Sequence, residues 1–267
     1  AGRGRPLINR TIFRHTLKSN LKLWILFAAV TSLIMAIFVA VFKPSTISGV
    51  MDLIKDSALA GIVINTTFLG MLSSTFYTMH GVLLPLVYII FTANGLIAAQ
   101  VDRGSMAYVL SAPVRRSTLV LTQGLYLIVA LAGMCTVITL VGLAAIRLFQ
   151  SDIEVDVADF LLVNLGLFLL LFATSGISFL FSCVFNLSRH SVALGAGIPI
   201  AFFLFDLMSS VSEDLEFFKY FTINTLFDRD AILAGESVLL PFAVLAVIGV
   251  VLYGIGVRVF TKKDLPL

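Results

Sequence analysis

The chain has 267 residues, of which 59% are hydrophobic and only 12% charged, and its mean hydropathy is +1.06. A soluble domain carries roughly 25% charged residues and has to face water with most of its surface, so this composition excludes an ordinary soluble fold and points to lipid as the solvent. The net charge of +3 reads as loop charge that orients spans rather than as a nucleic-acid surface.

A transmembrane helix needs about 20 apolar residues. Before the first such run lies the stretch 9–20, in which Arg10, Arg14 and Lys18 recur every fourth residue and so share one helical face. The pattern predicts an amphipathic elbow helix lying in the membrane interface. The first span is expected over 21–42. Residues 43–80 follow, with Lys43, Pro44, Asp52, Lys55 and Asp56, then an apolar stretch over 58–72 that Asn65, Thr66 and Thr67 interrupt. That stretch is expected to be interfacial or re-entrant on the outer side. Further spans are expected over 81–99, 118–140, 160–185, 191–211 and 237–260, in a single all-α membrane domain over 1–267. The basic N-terminus precedes a long span without a small-residue cleavage signal, so it is not read as a removed signal peptide.

The basic residues segregate. With both termini and the loops around 100–117 and 186–190 on one side, that side holds thirteen of the 18 lysines and arginines and the opposite side five. The richer side is expected to be cytoplasmic. An even number of spans then leaves the N- and C-termini cytoplasmic in a multi-pass protein of the plasma membrane.

Sites for chemistry are sparse. No Walker A loop and no H-E-x-x-H motif occurs, and His15, His80 and His190 fall near expected span ends or in loops. No metal, cofactor or catalytic residue is therefore assigned. Cys135 and Cys183 lie in apolar stretches and suggest no disulfide framework. Asp206 is the most unusual intramembrane group, a possible substrate or interface contact unless it sits near the outer head groups. Asn94, Asn164 and Gln100 are weaker cases, able to satisfy themselves by interhelical hydrogen bonds.

The most informative stretch is 98–117, AAQVDRGSMAYVLSAPVRRS. It reads as a short cytoplasmic helix that Asp102 or Ser105 caps. Met106, Val109 and Leu110 form an apolar stripe, Pro113 stops the helix, and Arg115 and Arg116 anchor the next span. A short helix held between two spans suits a groove on a partner.

This stretch resembles the signature of type-2 ABC exporter permeases, the ABC-2 membrane family, roughly E-x-x-x-G-T-[LM]-x-x-L-L-S-x-P-[VI]-x-R. Gly104, Ser105, Met106, Val109, Leu110, Ser111, Pro113, Val114 and Arg116 stand at matching positions. Gln100 replaces the usual Glu, Ser105 a Thr and Val109 a Leu, and the segment 217–226 is similar to the family's outer-loop segment without its usual Pro. The resemblance implies a six-span permease subunit of an ATP-driven exporter. It pairs with an identical or homologous permease and with two ABC ATPase subunits, which hold the ATP and Mg. It also implies an ATPase contact made by Arg103, Ser105, Met106, Tyr108, Val109, Leu110 and Arg116, with the elbow helix alongside. The cargo expected is a hydrophobic or cationic amphipathic peptide, lipid or drug. The alternative is a secondary transporter or channel without an ATPase, which would show inverted repeats and broken helices with charges at mid-membrane.

Overall fold

A computed structural model describes residues 8–43, 49, 67–111, 114–151, 153, 155–210 and 213–264. They are mostly helical, with no strand among them. Six helices are long and apolar enough to cross a membrane: α1 (Arg10–Val41), α2 (Phe68–Asp102), α4 (Arg116–Phe149), α5 (Val157–Val184), α6 (Ser188–Ser209) and α8 (Leu239–Lys262). The short α3 (Ser105–Ser111) lies between α2 and α4. Between α6 and α8 run two 3-10 segments, Glu213–Phe221 and Asn224–Leu226, and the five-residue α7 (Arg229–Leu233).

The six spans alternate in direction, and tertiary hydrogen bonds mark the two ends of the bundle. At one end, which we call the terminal end, α1 begins, α8 finishes, α3 sits and α5 turns into α6. There the Asn9 N–H donates to Thr122 Oγ1 at 3.0 Å, and Arg116 Nη1 donates to the Lys263 carbonyl at 3.0 Å. At the other end Gln150 Nε2 donates to the carbonyls of Val39 and Phe42 at 2.7 and 2.9 Å. It thereby satisfies carbonyls that the end of α1 leaves without an intrahelical partner.

Two expectations are corrected. The stretch 9–20 is not a separate elbow helix but the first turns of α1, which runs unbroken to Val41. Between Arg10 and Phe42 there is no Gly or Pro, so the change from charged to apolar sequence marks a change of environment and not a break. Asn9 caps the helix, its side chain accepting from the Thr11 and Ile12 N–H groups.

The second correction concerns the start of α2. Residues 58–66 lie outside the described residues. Phe68–Leu72 is continuous with the span expected to start at Gly81. The intervening Ser73–His80 is polar in composition yet helical, in wide π turns. Its hydroxyls bond back to the backbone: Ser74 and Thr75 to the Met71 carbonyl at 3.1 and 2.6 Å, and Thr78 to the Ser73 carbonyl at 3.0 Å. Such back-bonding lets Ser and Thr ride in apolar helices. His80 is therefore within a span, its ring 5.3 Å from that of Phe38.

α5 is the central helix, touching α2, α4, α6 and α8, and the most buried of the six. Gly166 lets two rings approach it: a Cβ there would meet Phe227 at 2.7 Å and Phe242 at 2.8 Å. Polar pairs join the spans inside the bundle. Asn164 Nδ2 donates to the Tyr77 hydroxyl at 2.7 Å, and the Ser175 and Tyr253 hydroxyls pair at 2.8 Å. The lone tryptophan, Trp24, donates its indole N–H to the Ala130 carbonyl at 2.8 Å across the α1–α4 seam. Outward, α1 and α8 expose rows of large apolar side chains, Ile25, Leu33 and Ile37 on one and Leu240, Val247 and Val250 on the other. A soluble monomer seldom carries apolar patches of that extent; in lipid they are the ordinary outer surface.

Candidate functional site

The site is α3 and what holds it at the terminal end. α2 breaks at Ile97, whose backbone (φ −131°, ψ −71°) is not helical, and resumes for one turn over Ala98–Asp102. The break frees the Ala98 N–H, which donates to Ser182 Oγ of α5 at 3.0 Å. One turn on, Asp102 Oδ2 accepts the Ser188 N–H at 3.1 Å. Asp102 therefore caps α6, where a carboxylate is favoured by the unpaired N–H groups and the helix dipole. Asn94 Nδ2 adds a bond to Ser188 Oγ at 2.8 Å. The root of α3 is thus tied to the turn between α5 and α6.

Gly104, at φ 69°, reverses the chain into α3; this left-handed conformation suits glycine. Ser105 Oγ donates to the Gln100 carbonyl at 3.1 Å. Neither Asp102 nor Ser105 caps α3, contrary to the sequence reading: Asp102 serves α6 and Ser105 reaches back to α2. Met106 is fully buried and part of the main core. It is an anchor and does not face outward as a contact residue. Tyr108, two residues on in α3, is 83% exposed, and Arg103, just before the Gly104 turn, is exposed too. The side chains of Val109 and Leu110, and Pro113 as a whole, lie outside the described residues.

Arg116 opens α4 and is held by its bond to the Lys263 carbonyl. Lys263 Nζ in turn donates to the Cys183 carbonyl at the end of α5 at 3.1 Å. Arg116 is therefore a strut between α4 and the segment after α8. Arg10, Arg14 and Lys18 are exposed on the first turns of α1.

The remaining site residues divide. Asn94 and Asn164 make interhelical bonds, as expected. Gln100 bonds within its own helix, to the Gly95 carbonyl at 3.3 Å. Asp206 is half-buried one turn from the end of α6, where Arg229 and Lys219 from the following loop are the cations acting on it. Sequence reasoning missed Ser182, Ser188 and Lys263, whose roles depend on contacts 80 or more residues away in the chain.

A short helix fixed outside six apolar spans, at the end where both termini emerge, matches the arrangement expected of an ABC-2 permease. A family model described as ABC-2 family transporter protein matches residues 13–265. The chain belongs to that family. No curated relative and no solved structure matches it. The ABC-2 membership and the six apolar helices make it a multi-pass membrane transport component, and the match covers α3 and all six spans.

Proposed function

We propose that this ABC-2 protein is the permease subunit of an ATP-driven exporter and that α3 is its coupling helix. The reading rests on one observation above others. α3 lies outside the spans, is anchored inward by Met106, and is tied by Ala98 and Asp102 to the α5–α6 turn, while Tyr108 and Arg103 face away. A seven-residue helix held in this way can seat in a groove on a separate subunit and pass a push to the bundle. Exposed tyrosine and arginine are residue types that often dominate protein contacts.

In this reading two ABC ATPase subunits hold the ATP and Mg, and a second permease, identical or homologous, completes the membrane part. The terminal end, with Arg103, Arg115, Arg116 and Lys262, faces the cytoplasm of the plasma membrane. The opposite loop over 212–236 is acidic in balance, with Lys219 and Arg229 against Glu213, Asp214, Glu216, Asp228, Asp230 and Glu236. That rim, with Asp206 beside it, supports release of a hydrophobic or cationic amphipathic cargo on the outer side.

The decisive experiment reconstitutes the purified permease in vesicles with and without an ABC ATPase subunit from the same cell. Cargo movement and ATP hydrolysis are expected only together, and Tyr108→Ala should require about five- to thirtyfold more ATPase subunit for the same coupled activity. Transport by the permease alone would replace this reading with that of a secondary transporter.

A further inference from the structure

The first turns of α1 border two hollows. The larger, about 520 Å3, lies between those turns, the end of α2, the start of α3 and the beginning of α4, with polar walls from Thr16, Asn20, Gln100, Ser105 and Gln123. The smaller, about 420 Å3, runs along the outer face of α1 beside Arg10, Arg14 and Lys18. Thr11 and His15 line both, so the two adjoin. Among the described residues lining them there is no Asp or Glu.

Gln123 is the most deeply buried polar side chain lining the larger hollow. It is only 3% exposed. One end of its carboxamide accepts from the Thr16 hydroxyl at 3.1 Å. The same side chain lines the hollow. An amide on the wall of a hollow can donate to and accept from the hydroxyl groups of a ligand seated there. The depth is also informative. The apolar run of α1 starts at Leu23, and Arg103 and Arg115 flank the neighbouring spans, so the hollows lie where head groups meet hydrocarbon. Cations in one hollow recognise a phosphodiester; neutral amides and hydroxyls in the other recognise hydroxyl groups.

We propose that the two hollows form a resident-lipid site for an anionic glycerophospholipid with a hydroxylated head group. The phosphodiester sits at Arg14 and Lys18 and the polyol against Gln123, Gln100 and Ser105. This lipid is a structural ligand and not cargo. Because Ser105 and Gln100 also form the root of α3, the head group stiffens that helix. The site belongs to the permease alone and holds whether or not an ATPase docks.

Native mass spectrometry of the delipidated full-length chain tests this with dioleoyl-phosphatidylglycerol, with phosphatidylmethanol (the same charge without head-group hydroxyls) and with phosphatidylcholine. One phosphatidylglycerol is expected to be retained per chain, favoured about fivefold over phosphatidylmethanol, the worth of about one added hydrogen bond. Replacing Arg14 and Lys18 together by Gln should weaken both anionic lipids roughly thirtyfold, from about fivefold per basic residue. Gln123→Leu should abolish the preference between them while leaving the charge-driven part. Gln100→Leu, on the more accessible wall, makes the same test should Gln123→Leu fail to fold. Equal retention of phosphatidylglycerol and phosphatidylcholine would overturn the proposal, as would a preference unchanged in a folded Gln123→Leu or Gln100→Leu variant. Displacement by millimolar inorganic phosphate as complete as by added lipid would overturn it too, by assigning the site to a soluble anion.

Discussion

Met106 and Tyr108 lie two residues apart on α3 and have opposite roles, which makes them a sharp test of how the helix works. Met106 is 0% exposed and packed in the core; Tyr108 is 83% exposed. Truncating a buried methionine to alanine removes about 2–5 kcal/mol of packing. α3 has seven residues and forms less than two full turns of helix. Its hydrogen bonds alone do not hold it, and the loss falls on its local opening rather than on the whole bundle. At about 1.4 kcal/mol per tenfold, even the lower figure is roughly a thirtyfold gain in the open population. Hydrogen exchange followed by mass spectrometry should therefore show amide protection over 105–111 falling at least about thirtyfold in Met106→Ala, with α5 unchanged. Tyr108→Ala should leave that protection intact and instead weaken binding of the ATPase subunit by about five- to thirtyfold, the loss of one aromatic contact worth about 1–2 kcal/mol. Unaltered protection in Met106→Ala would show that the buried methionine does not hold the helix, and the anchoring argument would fall.

Three further outcomes follow from the packing and the orientation. Gly166→Ala should destabilise the bundle by about 1–3 kcal/mol, because its Cβ would press on the Phe227 and Phe242 rings, whereas Gly197→Ala on α6, with open space around it, should be neutral or stabilising; thermal unfolding in detergent compares them. Tyr77→Phe removes the hydroxyl that accepts from Asn164 and should cost about 0.6 kcal/mol, at most about 1.7, and a double-mutant cycle with Asn164→Leu reads the coupling. For orientation, Tyr220→Cys, 88% exposed in the α6–α8 loop, should react with a membrane-impermeant maleimide on intact cells. Tyr108→Cys should react only after the membrane is opened. Cys135 and Cys183 are buried and should stay silent; labelling of Tyr108→Cys from outside would invert the topology.

The spans were legible because runs of some 20 apolar residues admit few other readings in lipid: the expected boundaries of the last three fall within a few residues of the helices, while the third spanning helix, α4, runs nine residues past the expected end at 140 to Phe149. The failures have particular physical causes. At Lys18–Lys22 the sequence changes solvent, from head group to hydrocarbon, without any residue that interrupts a helix. At Ser73–His80 a run of hydroxyl and ring side chains looked unsuited to a span, yet the hydroxyls find partners on their own backbone. The loop helix was located from its motif, but the use of its residues was not legible. Met106 belongs to an apolar stripe whichever way it points, and Asp102 precedes a helix that it might have capped. Each role was decided by elements distant in sequence, Asp102 by Ser188, 86 positions away.

The single indole of the chain has a practical consequence. Trp24 is the one tryptophan among 267 residues, and its N–H is fastened to a carbonyl of the facing helix. Its emission therefore reports on a single seam with no competing fluorophore of its kind. Separation of α1 from α4 during a transport cycle would release the indole and shift its spectrum, so this permease carries its own optical gauge of the seam, with no label to attach and no residue to replace.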